Sequence, residues 1–124
     1  MTRWLWLVAG GIVGTGSRFV LTDAVSRWLG TGFPYGTLTV NTLGCLVMGC
    51  AATWVDRSAM SADMRLFLMT GGLGAFTTLS ALIYDSWRLM ERGQGVAAAI
   101  NVVGTIGLGF LAFWLGSRLI LALV

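Results

Sequence analysis

Gly71-Gly72-Leu73-Gly74-Ala75-Phe76-Thr77-Thr78-Leu79-Ser80 sets three glycines and then three hydroxyl side chains inside a stretch otherwise apolar enough to cross a membrane. Lipid offers no partner to a peptide group, so a span stays helical unless protein or a water-filled cavity takes over the freed bonds. A glycine-weakened span followed by polar side chains therefore predicts a helix broken near its middle, at an ion or substrate site. The simpler alternative is an unbroken helix whose small residues face close neighbours.

The rest of the chain supports a membrane setting. Of its 124 residues, 56% are hydrophobic and only 10% are charged, with no Lys or His. A soluble domain carries about 25% charged residues. Crossing a bilayer takes roughly 20 apolar residues, and four such stretches fit at about 4–28, 37–55, 65–91 and 97–122. The expected fold is an all-α membrane protein of four transmembrane helices, with the third broken, in one domain over 1–124. The first stretch runs on through Gly10, Gly11 and Gly14 to Arg18 without a clear small-residue cleavage site, so it reads as a span rather than a signal peptide. Cys45 and Cys50 fall inside the second span with no further ligands at metal spacing, and read as small packing residues.

A net charge of +3 does not make a nucleic-acid binder, because the arginines stand singly or in pairs near helix ends and form no basic stripe. Their distribution bears on topology instead. Arg3, Arg57, Arg65 and Arg118 fall on one side of a four-span chain, and Arg18, Arg27, Arg88 and Arg92 on the other. Orientation normally follows an excess of Lys and Arg on the cytoplasmic side. An even count is what insertion in both orientations, with pairing as an antiparallel dimer, would leave. The sequence has no internal repeat, so any inverted symmetry needs a second copy.

The connections read clearly. Trp28 to Gly36 holds the only proline and three glycines, a loop by its breaker content. Ser61 is a suitable N-cap for the third span, with Asp63 favourably placed for the helix dipole. Glu91-Arg92-Gly93-Gln94-Gly95 is a tight turn. Gly10 and Gly14, and likewise Gly104, Gly107 and Gly109, read as surfaces for close helix contact.

Polar groups at membrane depth are few and neutral: Asn41, Thr77, Thr78, Ser80, Asn101 and Thr105. Asn101 and Thr105 are four apart, on one helical face. A buried amide without partners costs several kcal/mol in an apolar medium, so Asn41 either pairs with another helix or offers its N–H groups to a ligand. Asp23 and Asp85 fall nearer the span ends, leaving no deep carboxylate to carry a proton or cation. Hydroxyl and amide donors, joined by helix N-terminal amides after a break, suit a small anion.

At this point the chain resembles the Fluc (CrcB) family of fluoride channels over nearly its whole length. Gly10-Gly11-Ile12-Val13-Gly14-Thr15-Gly16-Ser17-Arg18-Phe19 is similar to that family's first-span motif. Gly36-Thr37-Leu38-Thr39-Val40-Asn41-Thr42-Leu43-Gly44 closely matches GTLxVNxxG, and the run from Gly71 matches part of GxxGGxTTFSTF. Asp85 stands where the family usually has an acidic residue. The resemblance implies a passive fluoride exporter in a bacterial inner membrane, conferring fluoride resistance. It implies an antiparallel dual-topology dimer with two pores and a central Na+ held by the Gly74 and Thr77 carbonyls of both subunits. Asn41 would line the pore, Arg18 would draw anions into a vestibule, and Thr105 would stand beside the pore. Ser80 retains a motif residue, and Asn101 falls where some members have Tyr.

One departure stands out. The family's two pore phenylalanines, three apart, are replaced here by Leu79 and Leu82, and the Thr between them by Ala81. Phe76 falls three residues too early to substitute. Ring edges carry partial positive charge, whereas leucine offers only bulk. Three readings remain open: conduction with leucines, a heterodimer whose partner supplies the phenylalanines, or a non-conducting partner subunit. From a different class, a small multidrug-resistance-type proton-coupled antiporter shares four spans and dual topology, but its chemistry calls for a buried acid.

Overall fold

A computed structural model describes residues 2–123. Four helical spans are present: α1 (Thr2–Leu29), α2 (Tyr35–Arg57), a composite third span, and α6 (Gly95–Leu123). The third span is built from α3 (Ala62–Arg65), a wide-turned π-helical segment Leu66–Leu73, a single turn α4 (Gly74–Phe76), and α5 (Leu79–Glu91).

Local chemistry sets the ends. Ser61 Oγ accepts from the Met64 N–H at 3.3 Å, so Ser61 does cap the third span. After α5, Gly93 takes φ +74°; its N–H donates to Met90 O and that of Gln94 to Leu89 O, both at 2.9 Å. That pair of bonds is the Schellman arrangement, which favours glycine at the left-handed position. Gly30 plays the same conformational role after α1, at φ +85°.

The third span is interrupted as anticipated, at the two adjacent threonines of the run. Thr77 (φ −80°, ψ 155°) and Thr78 (φ −151°, ψ 112°) are extended, while Gly71, Gly72 and Gly74 are all in helical turns. Threonine makes the break by finishing one helix and starting the next. Thr77 Oγ1 and N–H both donate to Leu73 O, at 3.2 and 3.1 Å, and Thr78 Oγ1 accepts from the Ala81 N–H at 3.2 Å. Short hydroxyl side chains compete with the backbone in this way, which is why they favour helix ends over interiors.

The glycines serve close packing and the π-helical turn. The Gly74 N–H reaches back to Met69 O, five residues earlier. A Cβ on Gly10 would strike the Phe67 carbonyl, and one on Gly14 the Gly72 carbonyl. The π segment therefore lies with its backbone directly against α1, and the expected packing role of this pair holds. The α2–α6 contact works likewise: a Cβ on Gly49 would meet Phe113 O, and one on Gly116 would meet Leu46 O. Gly109 lies beside Cys45 Sγ, whereas a Cβ on Gly104 or Gly107 would meet nothing within 4 Å among the described residues. Cys50 is held in the same contact, its thiol donating to Gly116 O at 3.3 Å.

The core mixes polar with apolar groups. Val40, Ala51, Val55, Leu82 and Leu89 are buried together with Thr37, Asn41, Ser86, Asn101 and Thr105, while most large apolar side chains face outward. A bilayer rewards such an arrangement, since lipid is as apolar as the outer leucines and helices associate through close packing and polar bonds. Asn101 is fully buried and donates through Nδ2 to Ser86 Oγ (2.9 Å), which itself donates to Leu82 O (2.8 Å). This relay ties α6 to α5. Ser86→Ala strips Asn101 of its partner and should lower stability by about 1–2 kcal/mol, read as a fall in the thermal unfolding midpoint in detergent.

Candidate anion site

Asn41 and Thr78 form the centre of the site. The Asn41 side chain, from the buried face of α2, donates through Nδ2 to Thr78 O at 3.0 Å and accepts from the Thr78 N–H at 2.7 Å. One amide thus satisfies both halves of the peptide unit that the helix break exposes. A primary amide has two N–H groups, so one donor of Asn41 remains for another partner. The interhelical pairing and the donor role, posed as alternatives, are compatible.

The same pairing frees a carbonyl. In an unbroken helix the Thr78 N–H would donate to Gly74 O, four residues back; here it is turned to Asn41. Gly74 is exposed on the surface of the chain. Among the described residues there is no cluster of three or more His, Cys, Asp or Glu.

Two cavities meet at Thr78. One, of about 770 Å³, is bounded by Thr15, Arg18, Thr22, Ser26, Thr37, Ser80 and Tyr84 among others. Its wall is rich in hydroxyls, and Thr78 Oγ1 and Ser80 Oγ lie 3.2 Å apart within it. Asp23 also lines it, but Arg27 pairs with that carboxylate at 2.7 Å. Arg18 is left as the cation of this vestibule, without an ion pair among the described residues.

The other is an open groove of about 480 Å³ on the face of the chain. Asn41 and Cys45 contribute from α2, Thr77 and Thr78 from the break, Leu79 and Leu82 from α5, and Thr105, Gly109, Phe110 and Phe113 from α6. It is mostly apolar, with Asn41, the two threonines of the break and Thr105 as its polar points. Thr105 is buried and its hydroxyl has no hydrogen-bond partner among the described residues.

A third recess of about 330 Å³ adjoins the vestibule through Thr22, Ser26, Thr37 and Tyr84, and is edged by Asp85, Arg88 and Arg92. Thr37 Oγ1 donates to Asp85 Oδ2 at 2.6 Å, joining the first turn of α2 to α5. Polar side chains therefore run from the two arginines at the end of α5, past Thr37 and the vestibule, to the groove at Thr78.

The structure brings most of the sequence-derived candidates together. Asn41, Thr78 and Thr105 line the groove, with Leu79 and Leu82 beside them, and Arg18 and Ser80 share the vestibule with Thr78. Asn101 lines neither cavity; it lies behind the groove, bonded to Ser86. Sequence reasoning named Asp85 but not its partner Thr37, and passed over Phe110 and Phe113. Thr37 stands in the same motif as Asn41, four residues earlier on the helix, which was the available signal. The two phenylalanines sit among many apolar residues of α6, and nothing in their spacing separates them from lipid-facing neighbours.

Comparison with known proteins agrees with this architecture. The family described as CrcB-like protein, Camphor Resistance (CrcB), matches residues 5–117. A protein of Rhizobium etli named fluoride-specific ion channel FluC is 40% identical over 125 residues, covering all of both chains. A protein of the same name from Thermus thermophilus is 40% identical over 124 residues, 100% of this chain and 99% of the relative. One from Magnetococcus marinus is 38% identical over 112 residues, 90% and 91% of the two chains. With four membrane-length helices, a third span broken at Thr77–Thr78 and a family match across nearly its full length, the chain belongs to the CrcB family.

Proposed function

We propose that this protein is one subunit of a fluoride-selective channel that lets cytoplasmic fluoride leave a bacterial cell passively. The carrying observation is the helix break at Thr77–Thr78, clamped by Asn41 where a cationic, hydroxyl-lined vestibule meets an apolar groove. A small hard anion needs strong donors to replace its hydration. The hydroxyls of Thr78 and Ser80, the remaining Asn41 N–H and the unpartnered Thr105 hydroxyl supply them. Hydrogen fluoride enters a cell as a neutral molecule and ionises there, so a pore alone drains the trapped anion. No bond is made or broken, and the protein is a channel subunit rather than an enzyme.

The groove is open on one side, and a second subunit inserted in the opposite orientation would close it. Exposed Leu79 and Ile106 along its border suit contact with a further helix. Na+ fits the same reading. The Gly74 and Thr77 carbonyls would hold it between the two subunits, where its charge would stabilise the broken helix ends. Whether the second subunit is a copy of this chain or a paralogue with phenylalanines is decided by whether the purified chain conducts alone.

Vesicles loaded with fluoride and reconstituted with the purified chain test the proposal. Fluoride should leave well above the rate of protein-free vesicles, and chloride many-fold more slowly. Absence of fluoride release, with and without a paralogous partner, ends the channel reading. Drug-coupled proton movement would point to an antiporter instead.

A further inference from the structure

Leu79 and Leu82 give the groove bulk without polarity, yet its wall also holds two aromatic rings. Phe110 and Phe113 are three residues apart on α6 and line the same groove as Thr77 and Thr78 of the helix break. Thr105, Gly109 and Phe113 follow one another at spacings of four, so they share a helical face. Gly109 carries no side chain at the middle of that face and lies beside Cys45 Sγ, and all four residues line the groove. Thr105 is only 5% exposed and its Oγ1 has no partner among the described residues. A buried hydroxyl left unpaired costs about 1–3 kcal/mol, so its presence beside a cavity points to a ligand that completes it.

A phenyl ring carries positive partial charge at its edge and negative charge on its face. A dehydrated anion passing an otherwise apolar groove gains from edge-on contact with such rings, and gains nothing of the kind from leucine. Phe110 is 76% exposed in the single chain, a surplus of aromatic surface placed where the groove remains open. Resting on the channel reading above, we infer that Phe110 and Phe113, with the Thr105 hydroxyl, form an anion-contacting site on α6 that sets fluoride conduction and selectivity in this protein. The aromatic contacts are thus supplied by the fourth span rather than by α5.

Fluoride and chloride efflux from reconstituted vesicles tests the inference, with Phe110→Leu, Phe113→Leu and the double variant compared with the parent chain. The control is Trp54→Leu, which removes an exposed ring from α2 outside the three cavities described. The double variant should lose about tenfold or more in fluoride efflux relative to the parent, the worth of one to two ring contacts, while the control keeps its rate. Adding Leu79→Phe to the double variant should restore part of the loss, since it returns a ring to the same groove. Should the double variant fail to fold, pentafluorophenylalanine at both positions preserves shape and reverses the edge polarity, and the same loss is expected. Fluoride efflux at the parent rate in the double variant, or in the fluorinated protein, overturns the inference and leaves the channel reading standing. A parent chain that releases no fluoride, alone or with a paralogous partner, overturns both.

Discussion

Asn41→Ala is expected to abolish measurable fluoride efflux and to destabilise the third span. The substitution deletes both bonds to the Thr78 peptide group, at 3.0 and 2.7 Å, and leaves a part-buried N–H and carbonyl without their Asn41 partners. Each orphaned group costs about 1–3 kcal/mol. Side-chain bonds in membranes fall toward the low end of that scale, so a combined loss of about 2–4 kcal/mol is expected. Asn41→Asp separates the scaffold role from the anion role. A carboxylate still accepts from the Thr78 N–H but cannot donate to Thr78 O, and it sets a negative charge beside the path. A like charge about 4 Å from a passing anion costs about 4 kcal/mol at the effective dielectric of a protein surface. Fluoride efflux should therefore fall at least about hundredfold, while the unfolding midpoint drops less than in Asn41→Ala. If Asn41→Asp conducts like the parent, the remaining amide donor has no part in conduction.

The second large effect is a contrast between two glycines of α1, Gly14 and Gly16. Gly14→Ala drives a methyl group onto the Gly72 carbonyl, backbone against backbone, where neither side can swing away. Overpacking of this kind costs about 1–3 kcal/mol, and the π segment would have to move off α1. Gly16→Ala meets nothing within 4 Å. There the gain in helix propensity dominates, about 0.5–1 kcal/mol in favour of alanine. The thermal unfolding midpoints of the two variants, measured in the same detergent, should shift in opposite directions. Equal shifts would mean that α1 does not lie against the π segment as described.

Much of the fold was legible because a membrane makes few demands and makes them strictly. Spans must be long and apolar, and their ends must carry caps, loops and arginines, all of which show in composition and spacing. The loop around Pro34, the Ser61 cap and the turn at Gly93 were readable for the same local reason. The break was legible as an event but not in its details. Glycines drew attention to the right ten residues, yet Gly71 and Gly72 are pressed against α1, and the chain is interrupted at the two threonines after them.

The candidate site divides in the same way. Asn41, Thr78, Ser80 and Thr105 could be named because polar groups are rare at membrane depth and each calls for a partner. Which partner each finds depends on helices brought together from distant parts of the chain. Asn41 meets Thr78 across 37 positions and Thr37 meets Asp85 across 48. Asn101 and Thr105 looked equivalent by spacing on one face. In the structure one is bonded to Ser86 behind the groove and the other stands unpaired in its wall.

By itself, then, the sequence determined that this chain crosses a membrane four times, that its third span is interrupted, and that its buried polar groups are neutral. Those properties follow from hydropathy, length and residue type, which are local. Only the tertiary structure decided that Asn41 closes the broken peptide unit and turns the Thr78 N–H away from Gly74. It alone set Phe110 and Phe113 across the groove from Leu79 and Leu82. Both outcomes come from how closely α6 approaches α2 through Gly49, Gly109 and Gly116, and α1 approaches the π segment through Gly10 and Gly14. Backbones meeting at such short range fix which side chains share a cavity, and no period along the chain encodes that distance.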